Sequence, residues 1–335
     1  MKNFTYYQPK SYEAAVGLLD EERGKAEILG GGTDLMDLMK EYVAQPDRVV
    51  SLSAVPGQEL NNITRDDSKE IIGIGAMVSL ARIAENPVLR QIYPGLTTAA
   101  GIIGGPQIRN MGTLGGNLCQ RNRCWYFRDE HVNCLLKGGR RCYAIDGENQ
   151  YHAIFTKGHP CVIVNPSTLA PVLIALSATA NVFGPRGARR IPLDQFFQAP
   201  GKADQREHVL AGNEMVSSVS IPMAGFANAS YEVRHKQSHD WPLVQAAVAF
   251  HLAGGRAQNV RIVLGHVAPT PHVAAEAMQA MEGKEVTEAT AAEAGRIATK
   301  GAEPLPQNGY KLKLVEVAVK RALLTAAGAT RYWEV

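Results

Sequence analysis

The stretch that decides the fold begins with Met111-Gly112-Thr113-Leu114-Gly115-Gly116-Asn117 and ends with Asn165-Pro166-Ser167-Thr168. Glycine has no Cβ, so a glycine-rich loop lets the backbone approach a bound group closely. All five cysteines of the 335-residue chain lie between these two motifs. A glycine-rich loop followed at once by a thiol-rich segment predicts two bound redox groups side by side.

Length and composition limit the classes of protein to which the chain can belong. At 335 residues it is longer than one ordinary domain, and 45% hydrophobic with 20% charged residues is typical of a globular protein. The net charge of +3 gives no reason to expect nucleic acid as a partner. We therefore predict two or three domains and no nucleic-acid function.

The cysteines and the N-terminus indicate the compartment. Five cysteines, an odd number grouped in one segment, do not fit a secreted disulfide framework, whereas metal or cluster binding in a reducing compartment does. The N-terminus shows no apolar signal segment, and no apolar run is long enough to span a membrane. We expect a cytoplasmic protein, or a periplasmic one if a partner subunit carries the export signal.

A second glycine-rich loop, Gly30-Gly31-Gly32-Thr33-Asp34, lies near the N-terminus. It follows a predicted buried strand at 26–29 and precedes Leu35, Leu38 and Met39, which share one helical face. Strand, glycine turn and helix start together form a geometry that binds anionic groups. The loop matches neither G-x-G-x-x-G nor a Walker A motif, so by itself it fits a tight strand-to-helix turn equally well.

The pattern of apolar residues divides the chain into three parts, residues 1–55, 56–223 and 224–335. In the first two parts we predict strands at 4–7, 26–29 and 48–52, a hairpin at 63–74, and strands near 178–183, 190–192 and 216–222. In the third we predict strands at 231–236, 244–252 and 260–267, then helices near 272–281, 287–300 and 311–326. Strands followed by helices predict an α+β domain, here with a three-stranded antiparallel sheet.

The two glycine loops are far apart in sequence but suit one ligand. If they face each other, they can hold the pyrophosphate of a dinucleotide in a cleft between two domains. Thr33, Thr113 and Asn117 add side-chain donors for phosphate or ribityl oxygens, and Ser167 lies where a third loop could complete the site.

Five ordered motifs resemble one family over nearly the whole chain. They are GGGTDL at 30–35, GTLGGNL at 112–118, NPSTLA at 165–170, Lys236-Gln237 followed by WPLV at 241–244, and LGHVAPTP at 264–271. They are similar to motifs in the FAD subunit of the xanthine dehydrogenase family of molybdenum hydroxylases. The resemblance implies a two-subdomain FAD-binding fold of the PCMH type, followed by a C-terminal domain like that of CO dehydrogenase flavoproteins.

The resemblance also implies where FAD binds. The first loop and residues 112–117 would hold the pyrophosphate and ribityl chain, and the Lys236 ammonium would stabilise negative charge on the reduced flavin. Many relatives carry Asp where this chain has Thr168, so that contact lacks a charge here. The full set of implied FAD-binding residues is Leu29, Gly30, Gly31, Gly32, Thr33, Asp34, Leu35, Met111, Gly112, Thr113, Gly115, Gly116, Asn117, Ser167, Thr168 and Lys236.

An inserted segment at about residues 119–163 holds the cysteines. Four of them are spaced C-x9-C-x7-C-x18-C, without the C-x2-C pair of common ferredoxins or zinc fingers. From the residues alone, four thiolates could hold zinc or a [4Fe–4S] cluster, or remain reduced thiols. Arginines and lysines around them could lower the thiol pKa values or simply form a solvated basic face.

The inserted segment resembles those in the flavin subunits of 4-hydroxybenzoyl-CoA reductase and of periplasmic aldehyde oxidoreductases, on the residues RNRCWYF at 121–127 and CLLK at 134–137. There the segment carries a [4Fe–4S] cluster. The resemblance implies Cys124, Cys134, Cys142 and Cys161 as ligands. Cys119 lies inside the glycine-loop motif, and we expect it to be a buried thiol.

The function implied by the resemblance is electron transfer through FAD. A partner large subunit would carry molybdopterin and a small subunit [2Fe–2S] clusters, in a heterotrimer. The external redox partner would be NAD, a quinone, oxygen or a ferredoxin, and no residue of this chain is expected to be catalytic. Two alternatives stay open: a stand-alone flavin oxidoreductase, and a zinc-stabilised nucleotide-binding module without a redox role.

Overall fold

A computed structural model describes residues 1–329 and Trp333. Its N-terminal sheet contains the parallel strands β1 (Thr5–Tyr7), β2 (Ala26–Leu29) and β3 (Arg48–Ser51), in the order β1-β3-β2. The helices α1 (Tyr12–Leu18) and α2 (Leu35–Lys40) follow β1 and β2. Ser11 caps α1 by accepting a hydrogen bond from the Ala14 N–H, as the sequence predicts. The first glycine loop therefore joins β2 to α2.

The second sheet has five antiparallel strands in the order β4-β5-β8-β6-β7. They are β4 (Ile63–Asp66), β5 (Ile71–Gly75), β6 (Thr179–Gly184), β7 (Gly187–Pro192) and β8 (Met215–Pro222). The short helix α3 (Gln58–Asn61) precedes them. The predicted hairpin at 63–74 and all three later strands are present.

Short helices fill the chain between β5 and β6. They are α4 (Leu80–Glu85), α5 (Pro87–Ile92), α6 (Pro94–Gly101), α7 (Pro106–Met111), α8 (Leu114–Cys119), α9 (Trp125–Arg128), a 3-10 turn at Leu135–Lys137, and α10 (Leu169–Ala175). Pro87, Pro94 and Pro106 each begin a helix, because the first helical position needs no N–H donor. Sequence patterns at Pro87 and Pro106 predict only the end of the preceding helix.

The second glycine motif differs from the predicted open loop. Met111 is the last residue of α7, only Gly112 and Thr113 lie between the two helices, and the residues after Thr113 are the helix α8. Thr113 caps this helix by accepting a hydrogen bond from the Gly116 N–H at 3.1 Å. Burial of Leu114 and Leu118 stabilises a helix whose two glycines would otherwise disfavour it.

The third sheet has four antiparallel strands, one more than predicted, in the order β12-β11-β10-β9. They are β9 (Ala227–Val233), β10 (Val244–Ala253), β11 (Arg256–Gly265) and β12 (His272–Val273). The helices α11 (Ala275–Met281), α12 (Glu288–Ile297) and α13 (Lys311–Ala326) follow. We predicted that a helix begins at His272, but His272 and Val273 pair with β11 and the helix starts after Ala274.

Two apolar cores hold these sheets and helices together. One surrounds the five-stranded sheet and includes α10, all of whose residues are buried. The other lies between the four-stranded sheet and α13. Among the described residues, no helix is long and apolar enough to cross a membrane.

Candidate functional site

The two glycine motifs touch each other. A Cβ added to Gly31 would lie 1.6 Å from the carbonyl oxygen of Met111, and one added to Gly30 would lie 3.0 Å from Thr113 Oγ1. Gly32 has φ +75°, in the left-handed region that glycine adopts without strain. Close approach of the two backbones, together with this turn, explains why glycine stands at all three positions of the first loop.

A cleft of about 470 Å³ opens beside this contact, within the size range of cofactor sites. Of the predicted FAD-binding residues, those lining it are Gly30, Gly31, Gly32, Thr33, Asp34, Leu35, Thr113, Gly115 and Gly116. Those not lining it are Leu29, Met111, Gly112, Asn117, Ser167, Thr168 and Lys236. The structure thus brings both glycine motifs to one cleft but places several predicted contacts around it rather than in it.

Basic residues that sequence patterns did not single out also line this cleft. They include Arg23, Arg206 and His208, with Arg121 from the inserted segment. Arg206 pairs with Glu27 of β2 at 3.0 Å, and Arg121 lies 2.8 Å from Glu207. Arg121 Nη2 and His208 Nδ1 are buried without a hydrogen-bond partner in the described chain. The unpartnered Arg121 guanidinium nitrogen is a donor that fits an anionic, hydrogen-bonding ligand in the cleft.

The third motif joins the second through buried side chains. The Ser167 hydroxyl donates to Asn117 Oδ1 at 2.7 Å, and Ser167 Oγ accepts from the Ala170 N–H at 3.1 Å. Both residues are buried. Asn117 and Ser167 therefore hold α8 against α10 and fix the second glycine motif.

A carboxyl group of this chain lies near Thr168, the position at which many relatives carry Asp. Thr168 is buried, its Oγ1 lies 3.4 Å from His266 Nε2, and the carboxyl group of Glu232 on β9 is close to it. Burial raises the pKa of Glu232 to about 7, although Arg234 and the Thr168 contact oppose this shift. Lys236, the predicted flavin contact, lies on an exposed turn where its backbone N–H donates to Asp240.

Asp34, at the end of the first glycine loop, connects that loop to the inserted segment. Its Oδ1 lies 2.7 Å from an Arg128 nitrogen and 2.9 Å from an Arg123 nitrogen. Its Oδ2 accepts from the Arg121 backbone N–H at 2.9 Å. These three partners stand on both sides of Cys124, so the glycine loop and the first predicted ligand are fixed to each other.

The four cysteines predicted as ligands line one narrow cavity. Cys124, Cys134, Cys142 and Cys161 share it with apolar and aromatic side chains, among them Phe127, Leu136 and Ile163. Among the described residues no group of three or more His, Cys, Asp and Glu side chains could hold a single metal ion. The four cysteines share one cavity, and their role as cluster ligands stays a prediction.

The four cysteine thiols of this cavity differ in acidity. The neighbouring Cys161 thiol lowers the pKa of Cys142 despite its burial. The same contact and burial raise the pKa of Cys161, and burial raises that of Cys124 to about 12. Cys142 is therefore the most readily ionised of the four thiols.

Comparison with known proteins identifies the family. Residues 2–224 match the model of the FAD binding domain in molybdopterin dehydrogenase, and residues 229–326 match the CO dehydrogenase flavoprotein C-terminal domain. The chain belongs to the FAD-binding subunits of the molybdenum hydroxylases. The predicted α+β fold, the binding of FAD and the class of oxidoreductase subunit are thereby confirmed.

Individual members of this family resemble the chain over almost its full length. Aldehyde oxidoreductase FAD-binding subunit PaoB of Escherichia coli (strain K12) is 30% identical over 97% of this chain and 99% of its own. The carbon monoxide dehydrogenase medium chain of Hydrogenophaga pseudoflava is 29% identical over 96% of each chain. A solved structure of quinoline 2-oxidoreductase from Pseudomonas putida 86 covers 98% of this chain and 99% of the matched chain, with TM-score 0.75 and 25% identity.

In this FAD-binding subunit the cleft and the cysteine cavity share a wall. The side chains of Phe127 and Leu136 line both spaces. Leu38 of α2 packs in the same apolar cluster as Cys134 and Cys161. Two apolar side chains therefore separate this cleft from the four sulfurs.

Cys119 lies on the cleft side of that wall. It ends α8, packs partly buried against the main core and lines the FAD cleft rather than the cysteine cavity. Burial raises its pKa to about 12, so it is an uncharged thiol at physiological pH. Its position matches the expectation of a thiol outside the ligand set.

The inserted segment is also held by the C-terminal part of the chain. The Asn308 side-chain amide donates to the carbonyls of Ala153, His152 and Asn149, and the Lys311 ammonium donates to those of Tyr151, His152 and His266. Lys311 is 1% exposed, and all three of its donors have partners. The segment is thus fixed on one side to the FAD loop and on the other to α13.

Proposed function

We propose that this chain is the FAD-carrying medium subunit of a three-subunit molybdenum hydroxylase. Relatives named as the FAD-binding subunit of an aldehyde oxidoreductase and as the medium chain of a CO dehydrogenase match nearly all of it. Its partners are then a molybdopterin large subunit, on which substrate reacts, and a small subunit with [2Fe–2S] clusters. The role of this chain is to pass electrons between the small subunit and an external partner.

The contact between Gly31 and Met111 carries the FAD part of this proposal, because it brings the two glycine motifs to one cleft. FAD, when bound, supplies both one-electron and two-electron chemistry. Backbone N–H groups of the two motifs and the Thr33 and Thr113 side chains would hold the pyrophosphate. The Asp34 carboxylate pairs with Arg123 and Arg128, so its charge does not repel the phosphates.

We further propose that Cys124, Cys134, Cys142 and Cys161 hold a [4Fe–4S] cluster. Their shared cavity, which has no carboxylate among the described residues that line it, supports this assignment. Zinc needs four sulfurs about 2.3 Å from one ion, whereas each thiolate of a [4Fe–4S] cluster binds a different iron.

Spectra and metal content of the purified protein test both proposals. We expect flavin absorption bands with a broad iron–sulfur shoulder that dithionite bleaches, and about four irons per chain. Cys142→Ser should remove most of the iron, while Cys119→Ser should retain it because Cys119 lies outside the cavity. One zinc and no iron would refute the cluster, and bound flavin alone would leave only the FAD proposal standing.

Copurification tests the assembly. When the chain is expressed with its neighbouring genes, we expect it to bind a molybdopterin protein and a [2Fe–2S] protein in a one-to-one-to-one complex. Activity of the isolated chain on its own substrate would favour a stand-alone flavin oxidoreductase. A colourless protein with one zinc and bound nucleotide would favour a nucleotide-binding module.

The identity of the external redox partner depends on the direction of electron flow. NAD, quinones and oxygen suit an enzyme that oxidises its substrate, while a reduced ferredoxin suits one that reduces it. Anaerobic mixing of the complex with each partner, followed by flavin absorbance, separates these routes. We propose that the complex acts in the cytoplasm unless a partner subunit carries an export signal, which cell fractionation decides.

A further inference from the structure

His152 makes a side-chain contact with a proposed cluster ligand. Its Nε2 lies 3.2 Å from Cys124 Sγ, within hydrogen-bond distance for sulfur. The imidazole is 4% exposed. The Phe127 and Arg128 backbone N–H groups donate to the Cys124 carbonyl oxygen, at 3.0 and 2.9 Å. The His152 ring is thus a side-chain contact on the sulfur itself.

The position of the His152 ring is fixed from several directions. Its backbone N–H donates to the Asn149 carbonyl at 3.0 Å, and its own carbonyl accepts from Lys311 at 3.0 Å. Rings of Trp125 and Tyr126 lie 5.5 and 6.4 Å from it, centroid to centroid. The imidazole is therefore held in place with Nε2 toward the sulfur.

The other ring nitrogen indicates which tautomer is present. Nδ1 of His152 is buried and has no hydrogen-bond partner in the described part of the chain. A neutral imidazole carries one N–H, and a thiolate or a metal-bound sulfur can only accept a hydrogen bond. The contact with Cys124 is satisfied when the proton is on Nε2.

We propose that His152 is a positioning residue that raises the reduction potential of the iron–sulfur cluster by donating its Nε2–H to Cys124 Sγ. This inference rests on the proposed cluster. Hydrogen bonds to cluster sulfurs tune the reduction potential, because they offset the negative charge that the cluster gains on reduction. No proton is transferred, so the effect is on the potential and not on the number of electrons.

Three variants test this role by redox titration followed by electron paramagnetic resonance. His152→Phe keeps a ring but removes the donor, so we expect a more negative cluster potential with the flavin potential unchanged. His152→Gln restores an N–H donor and should return the potential toward that of the unmodified protein. His131→Phe is the matched control, since His131 is an exposed histidine of the same segment paired with Glu130.

The outcomes separate this inference from the proposal on which it depends. If the unmodified protein shows no iron–sulfur signal, the cluster proposal fails. If the cluster is present and His152→Phe leaves its potential unchanged, the role of His152 is wrong. Strong ¹⁵N-histidine hyperfine coupling to the reduced cluster would also overturn it, because such coupling identifies a ligand rather than a hydrogen-bond donor.

Discussion

Gly31 lies so close to Met111 that a side chain at position 31 would overlap the Met111 carbonyl oxygen, 1.6 Å from the added Cβ. The oxygen belongs to the backbone at the end of α7, so it cannot turn aside as a flexible side chain would. The two glycine motifs must therefore separate if residue 31 has any Cβ, and the FAD cleft beside them must open.

Gly31→Ala should remove FAD from the purified protein. We expect at least a tenfold loss of affinity, about 1.4 kcal/mol, because separation of the loops misplaces the backbone donors. Absorbance at the flavin bands and titration of apoprotein with FAD measure it. Gly17→Ala is the matched control. Nothing lies within 4 Å of the added Cβ, and alanine has a higher helix propensity than glycine at this exposed position of α1. Equal FAD content in both variants would contradict the role of the contact.

Asp34→Asn should weaken both FAD binding and iron retention. The Asp34 carboxylate binds Arg123 and Arg128, and the exposed fractions of the three side chains are 17%, 24% and 12%. The substitution removes the nearest carboxylate of Arg123, whereas Arg128 keeps Asp37 at 3.0 Å, so we expect a cost of about 1 to 2 kcal/mol after allowance for solvent. Urea unfolding measures this loss of folding free energy, and flavin absorbance and iron content report FAD binding and iron retention. Asp67→Asn, whose pair with Arg65 is exposed, should change stability by less than about 0.5 kcal/mol.

Much of the site is predictable because its signals are local. An apolar strand, three glycines and a helical stripe define the first loop within one short stretch, and the structure has β2 and α2 at those places. The convergence of four cysteines follows from the resemblance of the inserted segment, and they line one cavity. Such features depend on neighbours in sequence or on a shared motif.

The parts of the site that sequence patterns missed depend on distant contacts. Arg206 and His208 reach the cleft because the loop before β8 folds back toward β2, where Arg206 meets Glu27. A lone arginine or histidine in a loop gives no local sign of this. The helix α8 was missed because two glycines lower its intrinsic propensity, while Thr113 capping and burial outweigh them.

Glu232→Gln should change how stability depends on pH. Burial raises the pKa of Glu232 in the folded protein from 4.5 to about 7, so between these values the folded state binds more protons than the unfolded state. The contribution of Glu232 to stability is therefore complete below pH 4.5 and is lost as pH rises toward 7. We expect the stability of the unmodified protein relative to Glu232→Gln to fall by about 1 to 3 kcal/mol over this range.

Urea unfolding at several pH values checks this expectation. Glu214→Gln is the contrasting control, because its bond with Arg189 lowers the pKa of Glu214. The difference in unfolding free energy between the unmodified protein and Glu214→Gln should shrink as pH falls. This is the opposite of the pH dependence expected for Glu232→Gln. A Glu232→Gln difference that is constant from pH 4.5 to 7 would show that this carboxyl does not titrate in that window.

Leu136→Ala should expose the cysteine cavity to the FAD cleft. Leu136 is 3% exposed and lines both spaces, so truncation leaves a hole in their shared wall. The free energy of unfolding should fall by about 2 to 5 kcal/mol, as when other buried leucines are truncated to alanine. More specifically, water and oxygen can then enter beside the sulfurs from the cleft, and we expect iron to be lost in air several times faster.

Leu89→Ala separates the loss of the wall from a general loss of stability. Leu89 is fully buried in the main core and lines neither space, so its truncation should cost a similar free energy of unfolding. The rate of iron loss in air, followed at the iron–sulfur shoulder, is compared at a temperature where both variants remain folded. Bound FAD should slow iron loss in Leu136→Ala, because it fills the cleft from which oxygen enters. Equal rates in the two variants would mean that global unfolding, and not this wall, controls access to the cysteines.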